Sequence, residues 1–210
     1  MNKEQEQLQQ FLTIESTEVK NFMDRIDYGE LIKARDIILK AEQQKNRVHV
    51  TGIGKPGHVA GYIASLLSST GTPAYELHGT EAVHGSSGQV QPGDVVIAIS
   101  NSGETAELKA TVNTLKQNGA SIISVCGNLD SWLAQQGDAA LYAGVSQEGD
   151  ALNKPPRSSI LAEIIVLQSL SVLLQYAKQL DPKQYVKWHP GGSLGKSIKE
   201  TLSEGEAHEI

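Results

Sequence analysis

The strongest constraint on this chain is an alternation. Two largely apolar runs, VVIAIS at 95–100 and SIISVC at 121–126, neither with a charged residue, are separated by an amphipathic stretch of helical length. A run with no polar face must be covered on both sides, which is the environment of a parallel strand flanked by helices. The same unit recurs along the chain. RVHVTGIG reads as a strand entering a Gly-rich turn, HVAGYIASLLSST as a helix stopped by Gly71-Thr72-Pro73, and AYEL as a second strand. GETAELKATVNTLKQNG places Leu108, Val112 and Leu115 on one side and stops at Gly119. SWLAQQ is a short helix and ALYAGV an edge strand. SSILAEIIVLQSLSVLLQYAKQL is apolar nearly all round, so it is expected as a central or subunit-interface helix, and Ser158 or Ser159 is its expected N-cap. The expected fold is α/β, a three-layer sandwich on a five-stranded parallel sheet.

Before the first strand, residues 3–44 carry no Pro and one Gly, with Phe11, Ile14, Val19, Phe22, Ile26, Leu31, Ile38 and Leu39 at roughly helical intervals. They predict one or two helices with a break near Tyr28-Gly29, an N-terminal helical arm over 1–44 ahead of a single domain over 45–210. The 210 residues hold 18 Lys+Arg against 24 Asp+Glu, a net charge of −6, which argues against a general nucleic-acid binder. The one cysteine, Cys126, allows no internal disulfide and suits a reducing, cytoplasmic setting, and at the end of a buried strand it reads as packing rather than nucleophile. The polar start MNKEQEQLQQ does not read as a signal peptide, and no apolar run is expected to reach the roughly 20 residues of a membrane span.

In a parallel sheet of this kind, ligands bind beyond the carboxyl ends of the strands, so the loops there are the place to look. After the first strand comes Gly52-Ile53-Gly54-Lys55-Pro56-Gly57-His58. Its spacing fits neither a P-loop nor GxGxxG, but a helix N-terminus with an added lysine suits an anion. After VVIAIS comes Ser100-Asn101-Ser102-Gly103-Glu104-Thr105. Three hydroxyls, an amide and a glycine at a helix start can wrap a phosphate, and a capping box alone would not account for all of them. His78, Glu81 and His84 lie in one loop; they line a sugar site or, as the lesser alternative, hold a metal. Glu148 follows the last strand, Arg157 precedes a helix and offers a second anion contact, and His189 stands in a Gly/Pro loop near the C-terminus.

TGIGKPGH, ELHGTEAVHG, IAISNSGET and KWHPGGSLG, in this order, resemble a sugar isomerase (SIS) domain, a flavodoxin-like fold, and more narrowly the arabinose-5-phosphate isomerases. The similarity runs from about Val48 to Ile198. It implies a catalytic set on Lys55, Glu104, Glu148 and His189, with substrate contacts on His84, Ser100, Asn101, Ser102 and Thr105; Gly54, Arg157 and Ser158, read from the residues at the loops and helix start, are expected as further substrate contacts. It further implies no cofactor, a sugar-phosphate substrate, no nucleic-acid or membrane partner, and homodimers or homotetramers with active sites completed across chains. Two departures stand out. Family members carry a CBS pair after HPGG, whereas this chain stops soon after that segment, so a CBS-linked input is expected to be absent. Where the family has a Thr-rich stretch, this chain has PPRSSILAEI.

The activity so implied is interconversion of D-arabinose 5-phosphate and D-ribulose 5-phosphate through a cis-enediol. Either Glu104 or Glu148 would serve as the base, His189 would open the ring or shuttle an oxygen proton, and Lys55 would steady the enediolate or the phosphate. The alternatives are isomerisation of a hexose or hexulose phosphate, and a non-catalytic sugar-phosphate-binding regulator. A nucleotide-binding dehydrogenase is disfavoured, because Leu77-His78 stand where an acidic ribose contact would be needed.

Overall fold

The computed structural model describes residues 2–189 and 191. Two helices open the chain, α1 (Lys3–Met23) and α2 (Tyr28–Gln43), broken near the expected point. Asn2 and Gln5 cap α1 reciprocally, and Asp27 caps α2. The core then alternates β1 (Val48–Gly52), α3 (Lys55–Ser69), β2 (Ala74–Glu76), β3 (Val95–Ile99), α4 (Ala106–Gln117), β4 (Ser121–Cys126), α5 (Trp132–Gln136) and β5 (Ala139–Tyr142). Helices α6 (Ser158–Ala177) and α7 (Pro182–Trp188) follow, and two short 3-10 turns lie between β2 and β3.

All strand pairs are parallel, in the order β2-β1-β3-β4-β5. Strand order reverses between β1 and β3, so their carboxyl ends diverge and leave a crevice there. The period-2 side-chain alternation splits the core. Val95, Ile97 and Ile99 join α1, α2, α3 and α6 on one face, while Val96 and Ala98 pack with Leu108, Val112 and Leu115 of α4 on the other. The apolar runs are therefore strands buried on both faces, as expected.

Helix α6 departs from one expectation. It has the length and composition of a membrane span, with mean hydropathy 1.7. Its apolar character is used inside the protein: Ala162, Val166, Leu167, Leu170 and Leu174 are buried against the core, at about 1.5–3 kcal/mol for each large side chain. The opposite side leaves Val172 and Tyr176 exposed. The expected serine cap is also absent. The N-cap is Arg157, which makes no side-chain cap bond. Glu148 supplies the acceptor instead, its Oε2 taking the N–H of Arg157 at 2.6 Å and of Ser159 at 3.2 Å.

The opening helices are bound into this core. Phe22, Leu31, Ala34 and Ile38 are fully or almost fully buried in it. From α1, the buried Glu18 accepts from the N–H of Ser146 at 2.8 Å and from its hydroxyl, and Glu15 accepts from the hydroxyl of Ser158 at 2.5 Å. Phe11 lies under the Arg157 guanidinium, 5.9 Å from ring centre to Cζ. At the other end of the molecule, Lys178 fastens the end of α6 to Glu42 at 2.6 Å, to the Gly71 carbonyl at 3.0 Å and to the Thr72 hydroxyl.

Candidate active site

The turn after β1 is shaped by close approach. A Cβ on Gly52 would stand 2.7 Å from the Pro56 carbonyl carbon, and Gly54 has φ +66°, ψ −128°, which an L side chain rarely adopts. The turn thereby brings Lys55 to the first position of α3, one residue before Pro56. Lys55 and His58 line a cleft of about 310 Å³ with Tyr62, Pro156, Ile160 and Ile164. Pro156, on the wall of this cleft, precedes Arg157, whose amide donates to Glu148.

The turn after β3 faces the same crevice from the far side of the switch point. Ser100 is buried, its N–H donating to the Val125 carbonyl and its hydroxyl lying 3.1 Å from that of Thr105. The Ser100 hydroxyl also accepts from the Gly103 N–H at 3.2 Å. Gly103 has φ +67°, and a Cβ there would collide with the Ser131 hydroxyl at 2.1 Å. Thr105 makes no side-chain cap bond, so the first amides of α4 are not covered by it. Asn101 and Ser102 are exposed at the loop tip. Serine hydroxyls, amides that Thr105 does not cap and the positive end of α4 are groups that can hold an anion.

The two candidate bases are treated differently. The Glu104 carboxylate is engaged on both oxygens, by Lys109 and by the Trp132 N–H at 2.7 Å. The Lys109 ammonium, then the Trp132 amide, hold its carboxyl below the usual carboxylate range. It ties the β3–α4 loop to α5. Glu148 instead lies half-buried at the start of α6, anchored through one oxygen. Its own N–H donates to Asn153 Oδ1 at 2.6 Å.

Other expected contacts are placed elsewhere or committed. Arg157 donates to Asp150 at 2.8 Å, and Ser158 is fully buried on Glu15. His84 is exposed on a 3-10 turn, and His78 binds the Thr80 hydroxyl at 3.1 Å. Among the described residues, no three His, Cys, Asp or Glu side chains converge to hold a metal, those of His78, Glu81 and His84 included. Burial pushes the Cys126 thiol up, which suits packing.

His189 ends α7, its Nδ1 2.9 Å from the Tyr185 carbonyl and its ring stacked on Tyr185 at 3.9 Å. The preceding Trp188 packs on Gly71, where a Cβ would stand 2.3 Å from the indole. Gly71 follows the C-terminus of α3, whereas Lys55 begins that helix. Fifteen residues separate the two ends, about 22 Å at 1.5 Å per residue. The histidine therefore lies at the amino-end edge of the sheet, away from its own chain's Lys55 and Glu148. Residues 190 and 192 of the HPGG segment lie outside the described residues.

Glu15, Glu18 and Glu163 were not singled out by motif. The available signal was Glu163, the one charged residue in the twenty of α6.

Against known proteins, the profile described as the SIS domain matches residues 43–173. Arabinose 5-phosphate isomerase KdsD of Pseudomonas aeruginosa is 37% identical over 202 residues, covering 94% of this chain and 61% of that protein. Arabinose 5-phosphate isomerase KpsF of Escherichia coli O6:H1 is 32% identical over 203 residues, 97% of this chain and again 61% of the relative. The chain thus spans less than two thirds of the length of these relatives. A solved structure from E. coli CFT073, in complex with arabinose 5-phosphate, superposes with a TM-score of 0.80 at 34% identity, covering 90% of this chain and all of that one.

Proposed function

This chain belongs to the SIS-domain family, and from that premise we propose that it is an aldose–ketose isomerase of a sugar phosphate, interconverting D-arabinose 5-phosphate and D-ribulose 5-phosphate. The observation that carries this is the facing of two loops across the β1/β3 switch point. The Ser100–Thr105 loop suits the phosphate, and Lys55 lines a cleft that reaches Pro156, next to the Arg157 amide that holds Glu148. Relatives named for this activity support the pentose over a hexose.

The phosphate, remote from the reacting carbons, binds the hydroxyls of Ser100, Ser102 and Thr105 and the first amides of α4. Its binding energy orients the open-chain sugar. Glu148 then takes the proton from C2 of the aldose. The electron pair forms the C1–C2 double bond of a cis-enediol as the carbonyl oxygen at C1 gains a proton; the carbon-bound proton then returns to C1 while the C2 hydroxyl gives up its proton, which leaves the C2 carbonyl of the ketose. Lys55 lies where a full positive charge lowers the energy of the developing enediolate. We assign the base to Glu148 because both oxygens of Glu104 are already taken. Glu104 then positions the phosphate loop, and Gly54, Asn101 and His84 are peripheral contacts.

Ring opening needs a group that moves a proton from the anomeric hydroxyl to the ring oxygen, a role assigned to His189. Its distance from its own chain's Glu148 makes this a contribution from a second copy, so the working unit is a homo-oligomer with sites shared between chains. The exposed side of α6, with Val172 and Tyr176, offers apolar surface for that assembly.

Exchange of the C2 hydrogen of arabinose 5-phosphate with solvent deuterium, followed by NMR, tests the assignment. Glu148→Gln should abolish exchange while retaining binding of the sugar phosphate, and Glu104→Gln should still exchange. The reverse pattern would move the base to Glu104.

A further inference from the structure

Glu163 lies one helical turn beyond Ser159 on α6, fully buried, and neither carboxylate oxygen has a hydrogen-bond partner. The Ser159 hydroxyl is buried and unpartnered as well. Ile160, three residues before Glu163, and Ile164, the residue after it, line the cleft with Lys55. We propose that Glu163 is a positioning residue for Glu148: it stays a neutral carboxylic acid behind the base and so keeps the pair's single negative charge on Glu148.

The asymmetry is one of donors. Glu148 receives two amide hydrogens from the start of α6, while Glu163, fully buried, receives none. A buried carboxyl without a donor keeps its proton, because burial disfavours its charged form. Burial first, and then the negative charge of Glu148, push the Glu163 carboxyl up to about 8. Other charged groups on the neighbouring elements are Glu15 and Glu18 of α1, held by Ser158 and Ser146, Glu30 of α2, held by the Ala140 N–H, and Lys55 and His58 of α3. Once Glu163 ionises, a second negative charge stands beside the base and beside an anionic substrate, and the site works against itself.

The role as positioner of the base rests on the isomerase reading, whereas the neutral buried acid can be tested without substrate. The carboxyl of Glu163, followed by carbon-13 NMR in wild type, should titrate near pH 8. In Glu148→Gln the midpoint should fall by at least half a pH unit. Thermal unfolding gives an independent check. A folded-state pKa raised above the unfolded one favours folding fully below about pH 4.5, and that contribution is lost as pH rises through 8. Between pH 5 and 8, wild type should therefore lose about 5–15 °C relative to Glu163→Gln. Parallel Tm curves, or a midpoint below pH 6, would overturn the neutral acid.

With isomerase activity in hand, kcat/KM of wild type should fall above an apparent pKa near 8. Glu163→Gln should keep its pH 7 rate within about threefold, with that alkaline limb moved up or removed. An unchanged limb would overturn the coupling to Glu148. A folded Glu163→Gln with a 100-fold loss at pH 7 would overturn the positioning role, because the group would then be reacting itself.

Discussion

Removing the Glu18 carboxylate asks whether α1 belongs to the working domain. In Glu18→Ala, the N–H and the hydroxyl of Ser146 lose their acceptor together. Each orphaned donor costs about 1–3 kcal/mol when buried, but Ser146 is itself exposed and water recovers part of this. About 1–3 kcal/mol in total is the reasonable range, or roughly 3–10 °C in Tm for a chain of this size. Because Ser146 lies two residues before Glu148, the loop that aims the base should loosen as well. Misplacement by about 1 Å is enough for a loss of tenfold or more in kcat. Glu6→Ala, in the exposed first turn of the same helix, should stay within about 0.5 kcal/mol with unchanged kcat. Urea denaturation and initial rates on the two variants decide the matter. If Glu18→Ala is as silent as Glu6→Ala on both, α1 is a dispensable arm and its hydrogen bonds do not organise the site.

Mixing His189→Ala with Glu148→Gln chains should restore about a quarter of wild-type activity in a dimer, since half the dimers are mixed and one site in each is intact. No recovery after subunit exchange would place His189 outside the shared site. Light scattering at micromolar concentration should give a dimer or larger; a strict monomer would remove the cross-chain site. Asp94→Ala should cost several kcal/mol, since Asp94 accepts from the N–H groups of Arg47 and Gln91 and from the side chains of Asn46 and His49. Burial raises the Asp94 carboxyl, but these hydrogen bonds outweigh it and hold the group below its ordinary 3.8. Its contribution is present above that value and should disappear as pH falls below about 4, which acid titration of stability would show and Asp94→Asn would flatten.

How far the chain could be read in advance depended on which force set each feature. VVIAIS and SIISVC are legible because burial on both faces leaves almost no charged or large polar position, and the Ser100–Thr105 loop because the phosphate role proposed for it needs a dense set of small donors. The cap of α6 was not legible. Its acceptor comes from Glu148, ten residues ahead of the helix, so local serines suggested a bond that the tertiary structure makes differently. Glu15 and Glu18 look like ordinary helix-surface acids, since their partners lie more than a hundred residues away. The two candidate bases could be separated only when Lys109 and the Trp132 amide were seen to occupy Glu104. Likewise, no spacing rule reveals that α7 carries His189 to the end of the sheet opposite its own chain's Glu148.

The activity itself is tested most directly by an assay on chelator-treated protein. Ribulose 5-phosphate, arabinose 5-phosphate and fructose 6-phosphate should be offered in parallel to wild type and Glu148→Gln. Wild type alone should interconvert the pentose phosphates. Turnover of fructose 6-phosphate only would contradict the substrate assignment, and tight sugar-phosphate binding with no turnover would make the protein a sensor rather than an isomerase.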